Sequence, residues 1–557
     1  MNRHSFVAVS QASRLLALLC IFALLLTAAD APTFPRAAYF RNHFQNPQTR
    51  IELQPPSHLD DFVVGGKLEL SLRSYLELVM ANNTDIEIQR VQLETYRNNI
   101  TRQYGLFDPA FVGSFDAIRA KQTSSSALTG ASQLNTLNQT ADFGYTQTLP
   151  TGTQFTVGFN GAKYSTNDSF ATVNPSLTAA LNVGFTQPLL RNRGASITKL
   201  PIMIARSQAR RSEYDFRDQL LQLLQQAESA YWDVIESRES LRVQEEFLKL
   251  SDAALKRSQK ELELGAMSPL DIYRPQQQYA TAEIAVSQQR FALAQREDVL
   301  RKLMGADLDQ RVRQLPIVLT ETVMPPESEQ AVDLDAAVEK AIAIRPDLKS
   351  VRQSLDVDEL GIRSAANALR PDLALTGGYT SQGLGGIVYQ RSDVFGGTGQ
   401  VVNTIPGGFG DALSQLFGFG VPVYQVGLTL RLPIRDRRGT ADLANTLVQK
   451  RLDVLRERSV SERIRLDVLT SVNNLESSKA GVKLAKVAAD FAKKQVEAEQ
   501  KKYDLGTNVM YFVLAAQTDL VNAQSELVRQ SVNYRRSMLN LYRFTGELLD
   551  QRGIVLK

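Results

Sequence analysis

One cysteine, three histidines and one tryptophan in 557 residues leave little of the side-chain chemistry that marks enzymes and metal proteins. The cysteine, Cys20, lies inside an apolar leader, so neither a disulfide framework nor a thiol nucleophile is expected in the mature chain. His4, His43 and His58 all fall near the N-terminus, which excludes a histidine-based triad or histidine metal site from the remainder. Glycine pairs such as Gly377-Gly378 and Gly407-Gly408 are not followed by the Lys-Ser/Thr of a phosphate loop. No catalytic residue, cofactor or metal is therefore expected. The net charge is only +4, with Arg3 and Arg14 supplying two of it in the leader, so nucleic acid is not an expected partner. After the leader no stretch approaches the roughly 20 apolar residues of a membrane helix, and any membrane span must be a β-barrel.

The leader itself, with its two arginines, apolar residues 15–26 and a closing Thr27-Ala28-Ala29, reads as a signal peptide over 1–29. A retained N-terminal anchor is the alternative. Residues 30–66 contain Pro32, Pro35, Pro47, Pro55 and Pro56 without periodicity and read as an irregular arm.

What the chain does contain, it contains twice. Leu220, Ala227, Val234, Leu241, Leu248, Leu255 and Leu262 recur every seventh residue, followed after a break by Ile272, Tyr279, Val286, Leu293 and Leu300. Adding 241 gives Ser461, Val468, Leu475, Val482, Ala489, Val496 and Tyr503, then Val513, Leu520, Leu527, Tyr534 and Leu541. A period of 3.5 residues specifies helices that supercoil around neighbours. Upstream of each copy a further helix is expected, over 68–107 and 333–369, ended by Pro109 and Pro371.

After each of those prolines the period becomes two. Phe111, Gly113, Phe115 and Ala117 alternate with Val112, Ser114, Asp116 and Ile118; Phe155, Val157 and Phe159 do the same, and 177–187, 373–380 and 423–432 continue the pattern. Alternation with aromatics fits barrel strands that face lipid on one side and water on the other, and a soluble sandwich is the alternative for any single segment. Residues 121–139, 164–175 and the Gly-rich 381–421 read as loops. The segments at 140–148 and 153–161, around Leu149-Pro150-Thr151-Gly152, favour long broken strands over an extra hairpin. Four strands per protomer cannot close a barrel and unpaired edges in lipid are costly, so the barrel must be shared between protomers.

The chain resembles the TolC family of outer-membrane efflux and secretion channels. The residues that carry the resemblance are Arg345-Pro346-Asp347-Leu348, the strand exits Gln187-Pro188-Leu189 and Leu432-Pro433-Ile434, Ala230-Tyr231-Trp232, and the closing Leu303-Met304-Gly305 and Phe544-Thr545-Gly546. The resemblance implies a mainly α protein with membrane β structure: a duplicated half-subunit whose long antiparallel coiled-coil helices form a trimeric α-helical barrel, with four strands per protomer in a shared 12-stranded β-barrel. The implied organisation is a first repeat over 67–305 (strands about 110–187, hairpin 196–304), a linker over 306–332, a second repeat over 333–546 (strands about 372–432, hairpin 440–545) and a tail over 547–557.

By the same resemblance the hairpin tips, Leu264-Gly265-Ala266 and Leu505-Gly506-Thr507, meet a periplasmic adaptor, and an inner-membrane pump of RND or ABC type energises export. The expected gate pairs Asp271 with Tyr503. Asn508 stands where the family has an arginine, while Phe512 and Ala515 replace its ring aspartates, so closure by bulk or dewetting is expected. Asp271 as a plain helix N-terminal residue, and the tip glycines as turn formers only, are the simpler readings. The expected function is an exit duct in the outer membrane, reaching into the periplasm, as a homotrimer in lipid; a periplasmic coiled-coil scaffold without a channel is the alternative.

Overall fold

The computed structural model describes residues 58–124, 129–324, 332–392 and 400–554. The expected signal peptide over 1–29 and most of the arm lie outside the described residues. All described residues belong to one body, Pro56–Lys557.

Strands β1 (Val63–Val64) and β2 (Lys67–Leu70) lead into α1 (Leu72–Asn82) and α2 (Thr84–Tyr104). One helix over 68–107 is thus corrected to a strand and two helices. Asn83 causes the break: its backbone is extended, and its Oδ1 accepts the N–H groups of Asp85 (2.9 Å) and Ile86 (3.3 Å), capping α2. Four strands follow, β3 (Ala110–Thr123), β4 (Gln133–Thr148), β5 (Gln154–Thr166) and β6 (Val173–Pro188). Then come the long α3 (Leu200–Glu263), α4 (Tyr273–Leu303) and β7 (Ile317–Leu319), which lies parallel to β2.

The second copy repeats the plan with α5 (Leu334–Ile344) and α6 (Pro346–Ala368). Here too the expected single helix over 333–369 is broken, because Pro346 at the first turn of α6 cannot continue α5. Arg345 at this break is held by Asp347 at 2.7 Å and Asp467 at 3.1 Å. Next come β8 (Asp372–Arg391), β9 (Val401–Ile405), α7 (Phe409–Gly418) and β10 (Pro422–Arg431), then α8 (Arg437–Asp504) and α9 (Met510–Thr545). At 1.5 Å per residue α3 and α8 are each roughly 100 Å long. Among the described residues no helix is long and apolar enough to cross a membrane.

The large sheet runs β10-β8-β6-β5-β4-β3, antiparallel throughout, with β9 paired to β8 beyond the end of β10. Four strands per protomer is therefore corrected to six, plus β9. The cause is local: Leu149-Pro150-Thr151-Gly152 reverses the chain, with Leu149 and Thr153 hydrogen-bonded at 2.8 Å and Gly152 at φ 89°, so β4 and β5 form a separate hairpin and not one broken strand. Residues 381–421, expected as a loop, contain the upper part of β8, β9 and α7. The strands also extend into both other expected loops.

Cross-strand partners project from the same face of a sheet. One face carries Phe111, Phe143, Phe159, Leu181 and Val183, with ring centroids of Phe111, Phe143 and Phe159 following one another at 6.2 and 6.4 Å. The other carries Asp142 and Asn160, bonded at 2.6 Å, and Asn182 and Thr380, bonded at 2.7 Å. The wall is apolar on one side and polar on the other.

Where the first-copy helices meet the small β1-β2-β7 sheet lies the largest core, with Leu68, Leu70, Tyr75, Tyr231, Trp232, Leu300 and Met304 buried. Along α8 the buried positions Ile464, Val468, Ser471, Leu475, Ser478, Ala485 and Ala489 alternate by three and four, with one such step skipped, which is a heptad seam. Its serines return their hydroxyls to the backbone of their own helix, Ser471 to Val468 and Ser478 to Leu475, so small polar residues pack at no hydrogen-bond cost.

Between α6 and α8, Asp358 faces Asp453. Burial, then the hydrogen bond to Asp453 and its charge, push the Asp358 carboxyl up to about 6. Burial also works to raise Asp453, but Arg456 and Gln449 hydrogen-bond its carboxylate and hold it below the ordinary range. Because the folded pKa of Asp358 exceeds the unfolded value, its contribution is fully present below the unfolded pKa and is lost as pH rises through about 6. Asp358→Asn removes that loss. Melting curves of both proteins at acid and neutral pH should show the variant gaining on the parent by about 1 kcal/mol as pH rises, after allowance for solvent screening.

Candidate channel gate at the helix-hairpin tips

Both hairpins reverse by the same device, 241 residues apart. At the end of α3 the Ala266 N–H donates to the Glu261 carbonyl (2.8 Å) and the Gly265 N–H to that of Leu262 (3.0 Å). At the end of α8 the Thr507 N–H donates to Lys502 (3.0 Å) and the Gly506 N–H to Tyr503 (2.9 Å). These are Schellman closures, and Gly265 and Gly506 take the left-handed φ values they demand, 71° and 70°. The flanking leucines point outward: Leu264 is 82% exposed and Leu505 is 78%.

Asp271 and Tyr503 line one cavity of about 590 Å³ together with Glu261, Arg274 and Asn508. They are brought near each other but not bonded. The Tyr503 hydroxyl donates to the Glu261 carboxylate, while Asp271 lies in the exposed stretch between the tip and α4, where its backbone N–H donates to Ser268 at 3.0 Å. Glu261 and Tyr503 stand within one residue of the same level in the two copies, whereas Asp271 has already passed the tip. Burial, then the bond to Glu261 and its charge, push the Tyr503 phenol up to about 12.

Arg257 completes the cluster. Its guanidinium lies 4.6 Å from the centroid of the Tyr503 ring and reaches Glu261 at 2.9 Å and Asp504 at 2.6 Å. Asn508 donates to Glu499, a carboxylate lowered chiefly by Lys502 at 2.7 Å. Phe512 is half-exposed and stacks edge-on with Tyr511 at 5.2 Å; Ala515 is half-buried one turn on. Sequence reasoning missed Arg257, Glu261, Glu499 and Asp504. The usable signal was present, since each lies within about two turns of a tip glycine.

Long helices carrying an antiparallel sheet, with duplicated hairpin tips, define a TolC-like channel fold, and comparison with known proteins agrees. Residues 337–547, in the second copy, match the family model described as outer membrane efflux protein. The chain is 21% identical over 395 residues to outer membrane protein TolC of Vibrio cholerae serotype O1, covering 70% of this chain and 82% of that one. It is 26% identical over 291 residues to outer membrane protein TolC of Escherichia coli strain K12, covering 50% and 56%. The solved structure of the transmembrane channel protein CusC superposes with a TM-score of 0.62 at 13% identity, covering 89% of this chain and 99% of that one. In sequence and in fold the chain is similar to the TolC-like outer membrane efflux proteins. The fold is that of solved outer-membrane channels.

Proposed function

We propose that three copies of this chain close one β-barrel and one helical conduit, forming a passive exit duct that a periplasmic adaptor couples to an inner-membrane pump of RND or ABC type. The observation that carries the trimer is the open wall: among the described residues β3 and β10 are unpaired edges of opposite direction, so copies can join edge to edge in antiparallel register. Such edges are not tolerated in lipid. Three walls of six strands make an eighteen-stranded barrel, half as many strands again as the resemblance implies.

Unsatisfied helical seams support the same assembly. Ile284 and Phe291 on α4, and Leu484 and Phe491 on α8, are exposed apolar residues seven apart, the spacing a neighbouring helix would cover. The apolar wall face would meet outer-membrane lipid and the polar face the lumen. Leu264, Gly265 and Ala266 with Leu505, Gly506 and Thr507 offer the adaptor two matching apolar knuckles. The gate is the Arg257–Glu261–Tyr503–Asp504 cluster, with Asp271 and Asn508 at its margin and Phe512 and Ala515 narrowing the mouth.

Unheated purified protein should migrate as a trimer and conduct in planar bilayers. Tyr503→Phe deletes one hydrogen bond, about 1 kcal/mol, and should raise the open-to-closed ratio roughly five-fold per gate; Asp271→Ala should leave it unchanged. A stable water-soluble monomer sinks the duct, and an unchanged Tyr503→Phe channel sinks the gate.

A further inference from the structure

Helix α7 lies across β6 and β8 on the apolar face of the wall. Ala412 and Leu416 are fully buried there against Ala179, with Phe159 and Leu181 beside them. The seat is specific: Ser381 Oγ donates to the Leu416 carbonyl at 2.7 Å, and the Gln415 amide bonds the backbone N–H and C=O of Leu384 at 3.1 and 3.0 Å. Leu384 has those groups free because β10 pairs with β8 only as far as Ser381.

The opposite side of α7 carries Phe417, 50% exposed, with the exposed Ser414 beside it, and Val421 is exposed just after the helix. Phe409 and Phe419 turn back onto the wall, Phe409 with its ring 3.3 Å from where a Gly161 Cβ would stand and Phe419 with its ring centroid 6.2 Å from that of Tyr379. Between 406 and 421 the one ionisable residue is Asp411, and its carboxylate accepts the Gly408 N–H at 2.7 Å as a cap. A helix resting in water carries charge on its outer side. Its height matters too: Ala179 and Leu181 lie seven to nine residues from Pro188, where the wall meets the long helices, or roughly 23–30 Å along the strand and about 17–25 Å of height at a barrel strand's tilt. A barrel's apolar band is about 25 Å tall, which places α7 in its outer-leaflet half.

We propose that α7 is a lipid-binding clasp, whose outward Phe417 docks acyl chains of the outer leaflet against the barrel wall. The inference rests on the reading of the sheet as a membrane wall. In a Cys20→Ser background, Phe417→Cys and Val157→Cys are each labelled with bimane, checked for trimer formation and reconstituted in liposomes containing doxyl-labelled phosphatidylcholine. Val157 lies on the bare apolar face between Tyr145 and Val183. At position 417, at least two-fold quenching by the doxyl lipid, exceeding that by aqueous iodide, is expected. Iodide quenching that equals or exceeds it, or quenching by neither, while position 157 responds to lipid, overturns the clasp and leaves the wall intact. Loss of lipid quenching at 157 overturns the wall and the clasp with it. Ser414→Cys, exposed one turn back on the same side, gives the same reading should Phe417→Cys fail to assemble.

Discussion

Arg552→Ala should cost about 3–5 kcal/mol, the penalty for leaving a buried carboxylate without its partner. Glu228 on α3 is 1% exposed and is held by both edges of the Arg552 guanidinium, at 2.8 Å through Nε and by a second contact through Nη2. The Trp232 indole donates to the same carboxylate at 3.4 Å. Removing Arg552 takes the counter-charge but leaves Glu228 where water cannot reach it. The paired change Glu228→Leu with Arg552→Met should restore most of the loss, because an apolar pair of similar volume avoids desolvation altogether. Guanidinium unfolding in detergent checks both. Trp232 is the sole tryptophan and sits in this cluster, under Arg535 and edge-on to Tyr231, so its fluorescence reports the region directly. A loss under about 1 kcal/mol for Arg552→Ala would show the carboxylate to be solvated after all.

Gly383→Val should release α7 from the wall. A Cβ at Gly383 would stand 1.9 Å from the Ala412 carbonyl oxygen, a backbone atom that cannot swing aside. Gly385 is under the same constraint, 2.1 Å from the Gly408 carbonyl. Overpacking of this kind costs about 3 kcal/mol, more than the apolar contacts of Ala412 and Leu416 can offset. Limited proteolysis of assembled protein should then cut within 406–421, where the parent is resistant. Gly361, whose Cβ direction is open, supplies the matched control as Gly361→Ala. Resistance in Gly383→Val equal to that of the parent would mean that α7 is not seated on β8.

The hairpin tips were legible residue by residue, since a helix that ends with a leucine and a left-handed glycine carries its own geometry. The helix breaks were written there too: Asn83 and Pro346 are a cap and a stop, but a continuous apolar stripe over 72–93 masked the first. The side-chain cluster beside the tips was less readable. Tyr503 has a carboxylate partner, yet which one depends on the relative height of helices distant in sequence, and neither Glu261 nor Arg257 is singled out by the heptad. The extra hairpin failed for a related reason. Pro150 and Gly152 are turn residues in plain view, but only pairing Thr148 with Gln154 distinguishes a reversal from a kink.

Duplication, helix period and strand alternation are properties of local order along the chain, so the sequence alone determined a duplicated fold of long helices and antiparallel strands. The number of strands in the wall, the partner of Tyr503 and the position of α7 each depend on groups far apart in sequence coming within a few ångströms. Those were decided by tertiary packing, where glycines that look like loop residues become the floor on which a helix rests.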